Sequence, residues 1–138
     1  MLVVDIDHFK RVNDQHGHDA GDAVIRHVGA LLAETVRGSD TVARFGGEEF
    51  VVLLLGLGGS EAGLIAERLC VAARGAEIAH GGRAIAVTVS IGVATVSARD
   101  PDIQAAIARA DAALYEAKAR GRDRVSVAVE TEEIERAA

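Results

Sequence analysis

Thr41-Val42-Ala43-Arg44-Phe45-Gly46-Gly47-Glu48-Glu49-Phe50-Val51-Val52-Leu53-Leu54-Leu55 sets two β-forming runs on either side of a glycine pair. Thr41–Phe45 and Glu49–Leu55 read as strands, and Gly46-Gly47 as the tight turn that joins them. Upstream, Leu2, Val4 and Ile6 alternate with Val3, Asp5 and Asp7, the period of a strand that leaves the core carrying two carboxylates. A short helical stretch from Phe9 to His16 closes at Gly17. A second helix follows, with Asp19 as its cap and Asp22 three places on, as in a capping box. Its apolar face is Val24, Ile25, Val28, Leu31, Leu32 and Val36.

Downstream of the hairpin, 56–60 is a loop, and Leu64, Ile65, Leu69 and Ala72 mark a third helix before a Gly81-Gly82 turn. Val87, Val89, Ile91 and Val93 lie on one face of the next strand. Asp100-Pro101 reads as an N-cap and first helical residue, and Ile103, Ala106, Ile107, Ala110, Leu114 and Ala117 carry the stripe of a helix that Gly121 ends. Val125–Val129 is a candidate edge strand and 130–138 a polar tail. Strand, helix, hairpin, helix, strand is the order of a ferredoxin-like α+β domain, an antiparallel sheet flanked by helices.

The chain has 138 residues, enough for one core, and its 49% hydrophobic and 26% charged residues exclude disorder and coiled coil. A net charge of −6 without a basic stripe argues against a nucleic acid polymer as partner, while small anionic ligands stay open. Cys70 is the single cysteine, which rules out an internal disulfide and points to a reducing, cytoplasmic compartment. No apolar run approaches the roughly 18 residues of a membrane span, so direct membrane contact is not expected. His8, His16, His18, His27 and His80 form no zinc constellation.

Right-handed crossovers place the first strand antiparallel to the third, which brings Asp5 and Asp7 beside Glu48 and Glu49. Two carboxylates 4 Å apart repel by roughly 4 kcal/mol at an effective dielectric near 20, so such a cluster calls for protons or a cation. Mg²⁺ suits it, with Mn²⁺ as the alternative: Mg²⁺ accepts a few hard oxygens and is completed by water and substrate phosphates. Solvated strand ends are the plainer reading of either acidic pair alone. Lys10 and Lys118 are the only lysines, and both fall at this edge. A compact ammonium fits phosphate oxygens, although Lys118 also reads as a cation stabilising its helix C-terminus.

Asp5-Ile6-Asp7-His8-Phe9-Lys10, Asn13-Asp14, Gly17-His18, Gly21-Asp22, Phe45-Gly46-Gly47-Glu48-Glu49-Phe50, Val87-Thr88-Val89-Ser90-Ile91-Gly92 and Ala110-Asp111-Ala112-Ala113-Leu114-Tyr115-Glu116-Ala117-Lys118 with Gly121-Arg122 together resemble the GGDEF family of diguanylate cyclases, in its GGEEF variant. The resemblance spans 1–129 and implies a nucleotidyl-cyclase-like, polymerase palm-like fold. In the family a helix and an Asp-x-Leu-Thr-x-Leu-x-Asn-Arg stretch usually precede the first strand. Neither is present here, so an N-terminally truncated domain is expected.

The resemblance implies condensation of two GTP into cyclic di-GMP and two pyrophosphates, by a homodimer whose half-sites face each other across a two-fold axis. It implies Mg²⁺ on Asp5, the Ile6 carbonyl and Glu48, with Glu48 or Glu49 taking the proton. Asn13 and Asp22 would read guanine, whose adjacent N1 and N2 donors suit a carboxylate. His18 would line the pocket, and Phe9, Lys10, Lys118 and Arg122 would surround the phosphates. Arg37 and Asp40, an Arg-x-x-Asp pair, resemble the family's inhibitory product site, with Arg68 contributing from the next helix; a loop ion pair is the alternative. An upstream sensory or regulatory domain is implied as partner. A catalytically inactive GTP- or cyclic di-GMP-binding module is the second functional reading.

Overall fold

A computed structural model describes residues 1–130 of the chain. β1 (Leu2–Ile6) is buried along its whole length and lies at the centre of a five-stranded sheet. Its neighbours are β3 (Glu49–Leu53) and β6 (Val89–Val93), both antiparallel to it. β2 (Thr41–Arg44) pairs with β3 at one edge, and β7 (Val125–Val127) runs parallel to β6 at the other. The order β2-β3-β1-β6-β7 is that of the expected α+β sheet, antiparallel except for its last pair.

The alternation of β1 decides which helix meets which face. Leu2, Val4 and Ile6 join Val24, Val28 and Leu32 of α2 (His18–Thr35) and Leu69 and Cys70 of α3 (Gly59–Gly75) in the main core. Val3 faces the other way and packs with Ala110 and Leu114 of α4 (Ile103–Ala119). Asp5 shares the face of Val3, so its carboxylate emerges under α4. Cys70 is packing: its Sγ lies 3.6 Å from the Val89 carbonyl, and burial pushes the thiol up to about 12.

Several local expectations change. Neither Asp19 nor Asp22 caps α2; Gly17 occupies the N-cap at φ 90°, without a side-chain cap, directly behind α1 (Phe9–His16). Asp102, not Asp100, caps α4, accepting from the Ala105 N–H at 3.2 Å. Asp100 instead takes the Arg109 guanidinium at 2.7 and 2.8 Å, an interaction that lowers its carboxyl to about 2. Ile103 and Leu64, expected in apolar stripes, are exposed. The buried stripe of α3 is Ala62, Ala66, Leu69, Cys70 and Ala73, because small side chains let the helix lie close to the sheet.

Gly81 and Gly82 do more than turn the chain. Both have positive φ, 58° and 76°, and they close a two-residue hairpin between β4 (Ile78–His80) and β5 (Arg83–Ile85). Gly46 and Gly47 take no such conformation. The expected edge strand is shorter, ending at Val127, and most of the expected tail, 131–138, lies outside the described residues. No helix among the described residues is long and apolar enough to cross a membrane.

Candidate active site

Antiparallel pairing sets Asp5 directly opposite Glu49, and the Ile6 N–H donates to the Glu48 carbonyl at 3.2 Å. The adjacent hairpin tip is closed by the N–H groups of Phe45 and Gly46, which donate to the Glu49 carbonyl at 2.8 and 3.3 Å. Arg44 donates to the carbonyls of Gly46 and Gly47 and ties the tip to its own strand. From α4, the Lys118 ammonium reaches across and pairs with the Asp5 carboxylate. Lys118 is therefore an active member of the acidic edge, not merely a helix-end cation.

Electrostatics at this edge are unfavourable to the charged acids. Burial is the leading cause that lifts the Asp5 carboxyl above its usual range; Lys118 opposes it, while Glu48 and Asp7 reinforce it. Glu49 is lifted by burial first, then by Asp5 and Asp111, with Lys118 again opposing. Asp111, two turns before Lys118 on α4, thus adds to the negative field, a contribution that a reading of motifs alone did not assign. Carboxyls held above their normal range are groups whose ionised form a cation would stabilise.

Asp7 departs from the expected four-carboxylate cluster. It accepts from Thr88 Oγ1 at 2.6 Å, Ser90 Oγ at 2.7 Å and the Asp123 N–H at 3.0 Å, so its lone pairs are committed to β6, to the residue just before that strand and to the turn after α4. Among the described residues no three acidic, histidine or cysteine side chains form a ready-made metal cage. The remaining oxygens at this edge, those of Asp5, Glu48 and the Ile6 carbonyl, are hard donors of the kind a divalent cation takes when water and phosphate complete its shell.

α1 and the start of α2 approach each other closely. A Cβ on Gly21 would fall 1.9 Å from Asn13 Oδ1 and 3.1 Å from Phe9 Cζ. The absent side chain therefore lets Phe9 and Asn13 lie against the turn of α2 that bears His18 and Asp22, both exposed. Lys10 is exposed on α1. Gly21→Ala is expected to fold, since the displaced atom is the tip of a flexible amide; if Asn13 reads guanine as the resemblance implies, the variant should raise the apparent Kd for GTP by about tenfold, or about 1.4 kcal/mol. Calorimetric titration with GTP, alongside thermal unfolding, checks this; unchanged affinity would separate Asn13 from base recognition.

Arg37 and Asp40 close on one another. Arg37 Nε and Nη2 donate to Asp40 at 3.1 and 3.0 Å, and Nη2 also reaches the Leu55 carbonyl at 2.6 Å. The Leu55 N–H donates to Asp40 at 3.1 Å, and the whole arrangement, Arg37 foremost, lowers the Asp40 carboxyl to about 2. These bonds join the end of α2 to the exit of β3. Arg68 lies on the exposed side of α3 beside Leu64 and Val71, and no bond joins it to Arg37 or Asp40 among the described residues. A separate cleft of about 530 Å³, lined by Asp7, Arg11, Arg74 and Thr88, lies away from Asp5 and Glu49 and is not the acidic site.

A palm-like sheet presenting paired acids at one edge, with a lysine behind them, defines a nucleotidyl-cyclase-like domain. The chain belongs to the GGDEF family: the family model "Diguanylate cyclase, GGDEF domain" matches residues 1–124. It is 42% identical over 127 residues to Diguanylate cyclase A of Treponema denticola, covering 92% of this chain and 34% of that protein. It is 43% identical over 126 residues to the response regulator PleD of Caulobacter vibrioides, covering 90% of this chain and 28% of that one. The chain thus spans about a third or less of these relatives.

Among solved structures, the GGDEF domain of DgcB from Caulobacter crescentus in complex with c-di-GMP superposes with a TM-score of 0.86 at 35% identity, covering 91% of this chain and 75% of that one. The active GGEEF domain of a diguanylate cyclase from Vibrio cholerae gives 0.85 at 31%, covering 94% and 82%.

Proposed function

We propose that this domain condenses two GTP molecules into cyclic di-GMP, releasing two pyrophosphates. The observation that carries the reading is the facing pair Asp5 and Glu49, with the Asp5 carboxylate bonded to Lys118 and both carboxyls lifted by burial. A binding module gains nothing from acids held in so unfavourable a state, whereas a cation-dependent transferase needs them.

In this reading Asp5, the Ile6 carbonyl and Glu48 hold Mg²⁺. The ion would neutralise phosphate charge and lower the pKa of the attacking 3′-hydroxyl. Asn13 and Asp22 select guanine, with His18 at the rim. Phe9, Lys10, Lys118 and Arg122 surround the phosphates. Glu49, whose carboxyl is lifted, is suited to accept the 3′-hydroxyl proton, and Glu48 is the second candidate. One domain holds one GTP, so a second copy must face it before hydroxyl and α-phosphate can meet in line.

The test is incubation with GTP and Mg²⁺ over a range of protein concentrations, following cyclic di-GMP and pyrophosphate, with Glu48→Ala as control. Product rising more than linearly with protein, and absent in the control, is expected. Saturable GTP binding without product would instead favour the inactive module.

Product inhibition through Arg37 and Asp40 is part of the proposal. Each must exchange its partner for the ligand, since they now satisfy one another. Arg37→Ala is expected to leave the initial rate unchanged and to abolish slowing by added cyclic di-GMP; persistent inhibition would remove these residues from the regulatory site.

A further inference from the structure

Three consecutive residues after α4 carry positive φ: Gly121 at 120°, Arg122 at 64° and Asp123 at 49°. Glycine tolerates that region, but arginine and aspartate occupy it only where surrounding contacts impose it. Here the contacts are visible. The Asp123 N–H donates to the Asp7 carboxylate at 3.0 Å, and Arg74 Nε of α3 donates to Asp123 Oδ2 at 2.8 Å. The Arg122 N–H donates to the Ala117 carbonyl at 3.1 Å, and its own carbonyl accepts from Arg124 Nε at 2.9 Å. Asp123 Oδ1 is buried without a partner, which leaves the Asp7 and Arg74 contacts to hold this residue. The Arg122 guanidinium is engaged with no other group among the described residues, whereas its backbone is fixed on both sides.

We propose that Asp7, with Arg74, is a positioning residue for Arg122: the two groups grip Asp123, hold the 121–123 turn in its left-handed backbone, and so present the Arg122 guanidinium to the triphosphate. Asp7 is well built for this task. It is buried, and Ser90 of β6 with Thr88, which enters that strand, locks its carboxylate, so the grip is continuous with the sheet that carries Asp5 two residues earlier. The inference rests on the reading that Arg122 meets the phosphates, and it assigns to the second carboxylate of Asp5-Ile6-Asp7 a role separate from holding the metal.

The experiment compares binding of GTP and of guanosine, by calorimetry, to the wild type and to Asp7→Ala, Asp7→Asn, Arg74→Ala, Arg122→Ala and the Arg74→Ala/Arg122→Ala double variant. Arg74 is half exposed, so its variant tests the grip even where Asp7→Ala does not fold. Asp7→Asn should stay near wild type, because its amide oxygen can accept from Asp123 and Thr88 while its NH₂ donates to Ser90 Oγ. Arg74→Ala should weaken GTP at least about threefold, leave guanosine unchanged, and add nothing once Arg122 is alanine. Equal weakening of GTP and guanosine, or additive losses in the double variant, would overturn the proposal while leaving the cyclase reading intact. Unchanged GTP affinity in Arg122→Ala alone would overturn both the proposal and the phosphate role on which it rests.

Discussion

Asp5→Asn is expected to cut cyclic di-GMP formation by about 10²- to 10³-fold, the rate equivalent of several kcal/mol of lost metal-borne charge stabilisation, without lowering the stability of the fold. The second half of this expectation comes from the direction of the Asp5 shift. Burial holds the carboxyl above its ordinary value of 3.8, so across that window the folded chain binds a proton that the unfolded chain has released. Stability therefore falls as pH rises from 3.8 through the folded value, and at neutral pH the ionised group opposes folding. Asparagine removes that opposition. Urea unfolding between pH 4 and 8 should show a smaller decline for the variant, and Mg²⁺ should raise the Tm of the wild type only. A variant clearly less stable than wild type at pH 7 would mean that the Lys118 pairing outweighs the desolvation of Asp5.

Gly92→Ala is expected to produce the largest loss of stability, about 3 kcal/mol or more, as an overpacked contact with no room to relax. A Cβ at this position would lie 2.0 Å from the Ala110 carbonyl oxygen and 2.5 Å from the Leu114 nitrogen, both helix backbone. Unlike the amide tip that meets Gly21, these atoms cannot swing aside. Helix α4 must lift off β6, and Lys118 and the turn bearing Arg122 travel with it. Denaturant unfolding and GTP affinity should therefore fall together, and a change in stability under about 1 kcal/mol would contradict so tight a seam.

The central architecture was legible because it rests on long-period signals. Alternation in residues 2–7 and the two runs around Gly46-Gly47 specify β1, β2 and β3, and crossover handedness then sets Asp5 against Glu49. What escaped depends on tertiary contacts that periodicity does not encode. The alanine stripe of α3 is weakly hydrophobic, so periodicity alone points to Leu64 as core although it faces outward. Asp19, Asp22 and Asp100 have the right composition for caps, but the chain entered those helices from Gly17 and through Asp102. Asp7 has the same side chain as Asp5 and the same phase in the alternation of residues 2–7. Only Thr88, Ser90 and Asp123, more than eighty residues away, make it a structural acceptor. The close approach at Gly21 left a signal in the sequence, a glycine inside a helix, without naming what it admits.

The central place of β1 also bears on how the molecule breathes. A strand paired on both edges and covered on both faces opens only when the whole domain does, so the Val4 and Ile6 amides should exchange with deuterium no faster than global unfolding allows. The hairpin tip and the α1–α2 junction are nearer the surface and should exchange by smaller openings. In the proposed function, nucleotide would enter and leave through local fluctuations of Phe9, Asn13 and Asp22, while the spacing of the acids is inherited from the slowest-opening part of the fold.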